Sequence, residues 1–219
     1  MSKIKAVIFD MDGVLVDTEP IYIQRFYEFF KAHNIDVDVK DIYRGIGTPD
    51  DVTFNLLGSL WNPKISGEEF REIFSTHKHQ TNFTYKDLAF PHLHYLMKNL
   101  ISNDIALGLA SASPRSAIEN VITDTKIKDF LHHTISGEEV FESKPNPEVY
   151  LQTMQNLQVK PEHTIIVEDS PSGIKAGLAS GATVIAIKDN RFKLDQSGAH
   201  YFASDLMEVH NIILNHFNL

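Results

Sequence analysis

The chain has no cysteine among its 219 residues. Disulfide staples and thiolate chemistry are therefore excluded, and a reducing compartment fits the composition. No apolar run approaches the ~20 residues that a membrane-spanning helix needs. A basic stripe is also missing: the net charge is −9, which repels nucleic-acid backbones and anionic lipid. The N-terminal stretch MSKIKAVIFD is not expected to be a signal peptide, because Asp10 and Asp12 interrupt its apolar run too early. Internal repeats, low-complexity tracts and coiled-coil heptads are absent as well, so the oligomeric state is left open. These absences predict a soluble, cytoplasmic protein whose partner is neither nucleic acid nor membrane. The hydrophobic share of 42% and charged share of 22% are those of a globular chain that can bury a proper core. Its length suits one large domain or a core with a smaller companion.

Several short apolar runs lack the two-residue alternation of a half-exposed strand: KAVIFD (5–10), DIALGLAS (104–111), TIIVED (164–169) and ATVIAI (182–187). HHTISG (132–137) is a weaker member of the set. Continuous runs of this length suit parallel strands covered on both faces. Helical periodicity fills the intervals. In 91–103, Leu93, Leu96, Met97 and Leu100 share one face. Segment 113–123 is expected to start with Ser113 as N-cap and Pro114 at the first helical position. Segment 147–157 opens on Pro147, and 171–180 ends before Gly181, a suitable C-cap. The alternation predicts an α/β fold built on a doubly wound parallel sheet.

Residues 18–85 break that rhythm. They hold an aromatic helix (Tyr22, Phe26, Phe29, Phe30), a helix around Val52 to Leu60, and a third opened by the capping-box pattern Ser66 to Glu69. The block reads as a small helical domain, 16–85, inserted after the first strand of a core made of 1–15 and 86–219. The crossings, near 14–18 and 83–91, are the expected hinges.

The stretch VIFDMDGVLVD places Asp10 at the end of a buried strand, Asp12 just beyond it, and Gly13 where the backbone must bend. Asp is common in turns, so capping alone is one reading. A calcium loop fails on spacing, since the glycine arrives at loop position 4 and Ile21 stands where the bidentate Glu belongs. Other strand ends decide the matter. TIIVEDS ends in Glu168 and Asp169, LASAS carries Ser111 and Ser113, and Lys144 lies in the polar loop ESKPNP. If these ends converge, four carboxylates share one crevice with a single ammonium. Two like charges ~4 Å apart repel by about 4 kcal/mol at an effective dielectric near 20, so the cluster calls for a divalent, oxygen-seeking cation, Mg²⁺ beside phosphate. Asp10 then suits an ionised nucleophile attacking phosphorus, and Asp12 a general acid/base whose pKa its like-charged neighbours raise. Ser111, the Ala112 backbone and the helix start that follows suit phosphoryl oxygens, with Lys144 neutralising developing charge.

The motifs DMDGVLVD (10–17), ASAS (110–113), SKPNPEVY (143–150) and VEDSPSGIKAG (167–177), in that order, resemble those of the haloacid dehalogenase superfamily. Within it they resemble the small phosphatases and phosphosugar mutases that include β-phosphoglucomutase. The resemblance covers the whole chain. It implies a Rossmann-like core of haloacid dehalogenase type with Asp10 as nucleophile, Asp12 as acid/base, Ser111 on phosphate and Lys144 in support. It also implies Mg²⁺ held by Asp10, Glu168, Asp169 and the carbonyl of Asp12, and a helical block acting as a mobile cap that selects the substrate. Dehalogenases of the family lack an acid at the place of Asp12, so its presence favours phosphoryl chemistry. The mutase has a histidine where Tyr22 stands and a cap arginine where Thr48 stands. Arg44 and Lys78 remain as cap cations, and the expectation is a phosphatase for a small phosphorylated metabolite, such as a sugar phosphate, with phosphosugar mutase as the alternative.

Three further readings belong with these. The pairs His77/His79 and His92/His94 fall in helical segments, where two-residue spacing does not put both rings on one face, so solvated histidines are expected rather than zinc ligands. GIGTPD (45–50) follows no strand and reads as a turn rather than a dinucleotide fingerprint, while Asp17 and Thr18 read as hinge anchors and Ser170 as a helix cap. A non-enzymatic phospho-receiver or phosphate-binding module is disfavoured, since a receiver domain places its acidic pair before its acceptor strand and carries no helical insertion.

Overall fold

The structure is a computed structural model that describes residues 3–46, 48, 50–78, 82–192 and 194–218, apart from the side chain of Asp50. The chain divides into two compact units, Met1–Asp17 with Thr84–Leu219, and Thr18–Phe83.

The first unit is built on six strands: β1 (Ala6–Phe9), β2 (Ala106–Ser111), β3 (His133–Ser136), β4 (Thr164–Glu168), β5 (Thr183–Ile187) and β6 (Tyr201–Ala203). Their order is β3-β2-β1-β4-β5-β6, and every neighbouring pair runs parallel. Each of the five apolar runs forms a strand, and β1 and β4 are buried along their whole length. Alternate side chains serve opposite faces, as the pleat requires. Val7, Phe9, Leu109 and Val167 join one core cluster, while Ile8, Ala110, Ile166 and Val184 join the other.

Helices of the first unit cover both faces. In chain order the α-helices are α1 (Glu19–Ala32), α2 (Val39–Tyr43), α3 (Asp50–Trp61) and α4 (Gly67–Thr76), all of the second unit, then, in the first unit, α5 (Tyr85–Leu88), α6 (Leu93–Ser102), α7 (Arg115–Asp124), α8 (Glu148–Asn156), α9 (Pro171–Ala179) and α10 (Leu206–His216). Residues of α6, α7 and α10 pack with Val7 and Phe9 of β1, and residues of α8 and α9 with Ile8. The result is the doubly wound, three-layered α/β sheet expected of alternating strands and helices.

Two differences from the sequence reading stand out. The sequence patterns do not single out β6 and α10: a three-residue edge strand is shorter than any usable hydrophobic period. Helix α7 also starts later than expected. Pro114 is its N-cap residue and Ser113 lies before it, with no side-chain cap bond. The Ser113 hydroxyl is engaged elsewhere.

The second unit is all-helical. Ser66 and Glu69 form the expected capping box, the Ser66 N–H donating to Glu69 at 2.7 Å and the Glu69 N–H to the Ser66 hydroxyl at 3.2 Å. Its core is aromatic: Phe26 stacks on Phe74 at 4.3 Å, and Phe29 meets Phe70 edge-on at 5.4 Å. Tyr22, expected on the same aromatic face, is exposed. In GIGTPD, residues 47 and 49 lie outside the described residues, but the Gly45 carbonyl accepts from the Thr48 N–H at 3.4 Å, as in a turn, and from the hydroxyls of Thr48 and Thr53 at 2.8 Å. His79 also lies outside the described residues. His77 packs on Phe29, and His94 on Phe130. Among the described residues, no helix is long and apolar enough to cross a membrane.

Candidate active site

Asp10 is the first residue after β1, and its N–H still donates to the Val167 carbonyl at 2.9 Å. The ladder thus delivers its carboxylate to the carboxyl end of the sheet, where open α/β folds gather ligands. The chain then doubles back within residues 11–16. The Met11 carbonyl accepts from Leu15 at 2.8 Å and Val16 at 3.2 Å, and Met11, Val14, Leu15 and Val16 are all buried. Gly13 is needed here for two reasons. Its φ is +76°, and a Cβ at this position would lie 2.1 Å from Oδ2 of Asp169.

Lys144 reaches into the centre of the cluster from the loop that follows β3. Its Nζ donates to Asp10 Oδ1 at 2.5 Å, Glu168 Oε1 at 2.7 Å and the Ala110 carbonyl at 3.0 Å. All three ammonium hydrogens therefore have partners in a site almost closed to solvent. Tyr150 of α8 completes this arrangement. Its hydroxyl donates to Glu168 Oε1 at 2.6 Å, and its ring lies 5.0 Å from the lysine Nζ. Glu168 is the most heavily bonded carboxylate, because Oε2 also accepts from the Asp169 N–H at 2.9 Å and from the N–H and hydroxyl of Ser170, each at 3.1 Å. Glycine at 173 leaves it room: a Cβ there would overlap the Glu168 carboxylate. Ser170 also caps α9, as expected, accepting from the Gly173 N–H at 3.0 Å.

The loop after β2 supplies the remaining predicted residues. Ser111 is buried and its hydroxyl accepts from the Ser113 N–H at 3.0 Å. Ser113 donates its own hydroxyl hydrogen to Asp12 Oδ2 at 2.7 Å, while its carbonyl accepts from the Ser136 hydroxyl at 2.7 Å. Ala112 lies between them, with its carbonyl against Gly137, where a Cβ would stand 2.8 Å away. Asp10, Lys144, Glu168 and Asp169 therefore meet directly. Ser111 joins them through its neighbour Ala110, and Asp12 is held from the β2 loop.

The electrostatics follow from this crowding. Burial lifts the Asp10 pKa to about 8; Lys144 opposes the shift, and Glu168 and Asp12 add to it. Burial also works against the charge on Glu168, but Lys144, Tyr150 and Ser170 outweigh it and hold that carboxyl below the usual range. Lys144 is lifted above an ordinary lysine, because Asp10 and Glu168 outweigh its burial. The lift falls on Asp10 and not on Glu168, because one lysine serves two buried carboxylates and Glu168 has the richer set of donors.

Asp10, Glu168 and Asp169 offer oxygens within 4.8 Å of one another, and they are the one group of three potential metal ligands among the described residues. The donors are all oxygen, buried, and short of positive charge. That chemistry fits a hard divalent cation.

Residues 7–187 match the haloacid dehalogenase-like hydrolase family. The chain belongs to that family. It is accordingly a hydrolase, and several of its relatives carry phosphatase names. The pyrophosphatase PpaX of Oceanobacillus iheyensis is 28% identical over 98% of this chain and 99% of its own length. A phosphorylated carbohydrates phosphatase of Thermotoga maritima is 31% identical over 81% of this chain and 82% of its own. Among solved structures, a β-phosphoglucomutase from Clostridium difficile superposes with a TM-score of 0.73 at 23% identity, covering 96% of this chain and 99% of that one. It shares the fold of this member of the family.

Three residues of the site escaped sequence reasoning. Tyr150 sits at an apolar position of its helix, and only its hydroxyl partner reveals a polar task. Ser113 precedes Pro114 and imitates an N-cap. Gln196 lies in a loop with no periodicity, yet it is buried and its amide donates to the Asp169 carbonyl at 2.5 Å. Asp17, read as a hinge anchor, is gripped by Arg191 through two bonds of 2.8 Å, and the same guanidinium also holds Asp189.

Proposed function

We propose that the protein is a Mg²⁺-dependent phosphomonoester hydrolase that acts on a small phosphorylated metabolite, a sugar phosphate in the first instance, through an aspartyl-phosphate on Asp10. One observation carries the reading: the Asp10 carboxylate stands at the end of the central strand, 2.5 Å from the Lys144 ammonium and within reach of two further acids.

Each residue then has a defined task. An Asp10 carboxylate oxygen attacks phosphorus and the ester P–O bond breaks. The leaving alkoxide takes a proton from Asp12. Asp12 next removes a proton from water, whose oxygen attacks phosphorus and expels the Asp10 carboxylate, giving inorganic phosphate and the free enzyme. The Ser111 hydroxyl and the Ala112 backbone bind phosphoryl oxygens, and Lys144 compensates the charge that accumulates on them. Asp10, Asp169, the carbonyl of Asp12 and Glu168 would hold Mg²⁺, which when bound offsets the negative charge of the carboxylates and the phosphate. A sugar phosphate is supported by the name of the Thermotoga relative, which is a phosphatase of phosphorylated carbohydrates.

Phosphosugar mutase is the second reading, favoured by the likeness to β-phosphoglucomutase. Against it, Tyr22 and Thr48 occupy the places of the mutase's histidine and arginine, and Arg44 already pairs with Asp41 at 3.6 Å.

The test is phosphate release from a panel of sugar phosphates, with and without Mg²⁺, on wild type and Asp10→Asn. Expected are Mg²⁺-dependent release by wild type and a loss of at least about a thousandfold in the variant, with folding retained. Near wild-type turnover by Asp10→Asn would remove the nucleophile. Conversion of β-glucose 1-phosphate to glucose 6-phosphate without net phosphate release would turn the assignment to mutase.

A further inference from the structure

We infer that Gln196 is a positioning residue for Asp169, clamping the open ends of β4 and β5 so that the Asp169 carboxylate faces the divalent cation. The inference rests on the metal reading above.

The argument starts from the sheet. β4 and β5 pair in register as far as Glu168 opposite Ala186. Beyond that point β5 stays with its other neighbour: Ile187 pairs with Ala203, and the Lys188 N–H donates to the Ala203 carbonyl at 2.8 Å. The two strands therefore part at the residue where Asp169 begins. Parting opens the crevice but strips the carbonyls of Asp169 and Ile187 of ladder donors, and a buried carbonyl without a partner is costly.

Gln196 fills both vacancies with one group. Its Nε2 donates to the Asp169 carbonyl at 2.5 Å and to the Ile187 carbonyl at 2.6 Å. Both neighbours are pure acceptors, so the amide must present its NH₂ and spends both hydrogens. The side chain is nine-tenths buried. Asp169 is then fixed on both sides of its main chain, its N–H donating to Glu168 Oε2 at 2.9 Å and its carbonyl accepting from Gln196. With the main chain held at both groups, only the rotations about the two side-chain bonds of Asp169 are left to place its carboxylate. Outer partners of this kind typically govern metal affinity by about 10–100-fold when removed.

The experiment is Mg²⁺ titration by calorimetry on wild type, Gln196→Met and Gln196→Asn, paired with the Mg²⁺-induced shift in Tm. Methionine keeps the volume and loses both donors. Asparagine keeps a buried amide one methylene too short, and serves if the methionine variant does not fold. Expected is a rise of about tenfold or more in the Mg²⁺ dissociation constant, a smaller Mg²⁺-induced Tm shift, and a wild-type kcat recovered to within about threefold at saturating Mg²⁺. Unchanged Mg²⁺ affinity in a folded variant, with only the metal-free Tm lowered, would reduce Gln196 to a structural prop and overturn the inference while leaving the metal reading intact. Absence of Mg²⁺ binding by wild type would overturn both.

Discussion

The Ser113 hydroxyl donates to Oδ2 of Asp12 at 2.7 Å, joining residues that are 101 positions apart in sequence. Ser113 is itself held at both main-chain groups, its N–H by Ser111 and its carbonyl by Ser136. Asp12 therefore inherits its orientation from the β2 loop.

A loosened Asp12 should be a poorer proton donor. For Ser113→Ala, kcat/KM is expected to fall about tenfold on alkyl phosphates, the cost of one hydrogen bond to a carboxylate. On p-nitrophenyl phosphate, whose leaving group needs little protonation, the loss should be small. Equal losses on both substrates would detach Ser113 from the acid step.

Metal affinity should follow the protonation of Asp10. Its folded pKa of about 8 stands above the ordinary 3.8. Between those values the metal-free folded state holds a proton that the unfolded state lacks, so stability falls as pH rises through this window and levels off above about pH 8. A cation must displace that proton. Apparent Mg²⁺ affinity should therefore increase by up to about tenfold per pH unit below pH 8 and then flatten. Calorimetry at pH 6, 7, 8 and 9 tests this, and an affinity independent of pH would contradict it.

Glycine 13 combines a left-handed backbone with a collision, which a paired comparison can separate. Gly181 shares the conformation, φ +83°, but a Cβ there would meet nothing nearer than Pro161 at 3.4 Å. Gly181→Ala should cost about 1–2 kcal/mol of stability and leave Mg²⁺ binding unchanged. Gly13→Ala should bear a similar strain and also push Asp169 aside, weakening Mg²⁺ binding by at least about tenfold. Equal Mg²⁺ affinities for the two variants, measured by calorimetry, would refute the close approach.

Much of the site was legible because chemistry sits where apolar runs stop. AVIF ends on Asp10, TIIV on Glu168 and Asp169, and ALGLA on Ser111, and a parallel sheet brings such ends to one edge. The capping box at Ser66 was equally plain, since all its partners lie within one helical turn. What escaped was set by distant partners. Ser113 carries the local signature of a helix cap, yet its hydroxyl is taken by Asp12. Tyr150 has the periodicity of a core residue, and only Glu168 exposes its second use. Gln196 bonds to backbone carbonyls, which have no letter in the sequence.

The place of β1 has a consequence for how the molecule is made. It emerges before the other five strands during synthesis but lies between β2, which starts at Ala106, and β4, which starts at Thr164. A nascent chain can pair one side of it early and must leave the other side open until Thr164–Glu168 arrives. Asp10 and the acids at the end of β4 are kept apart for the same interval. The acidic cluster thus forms late, once β4 has docked beside β1.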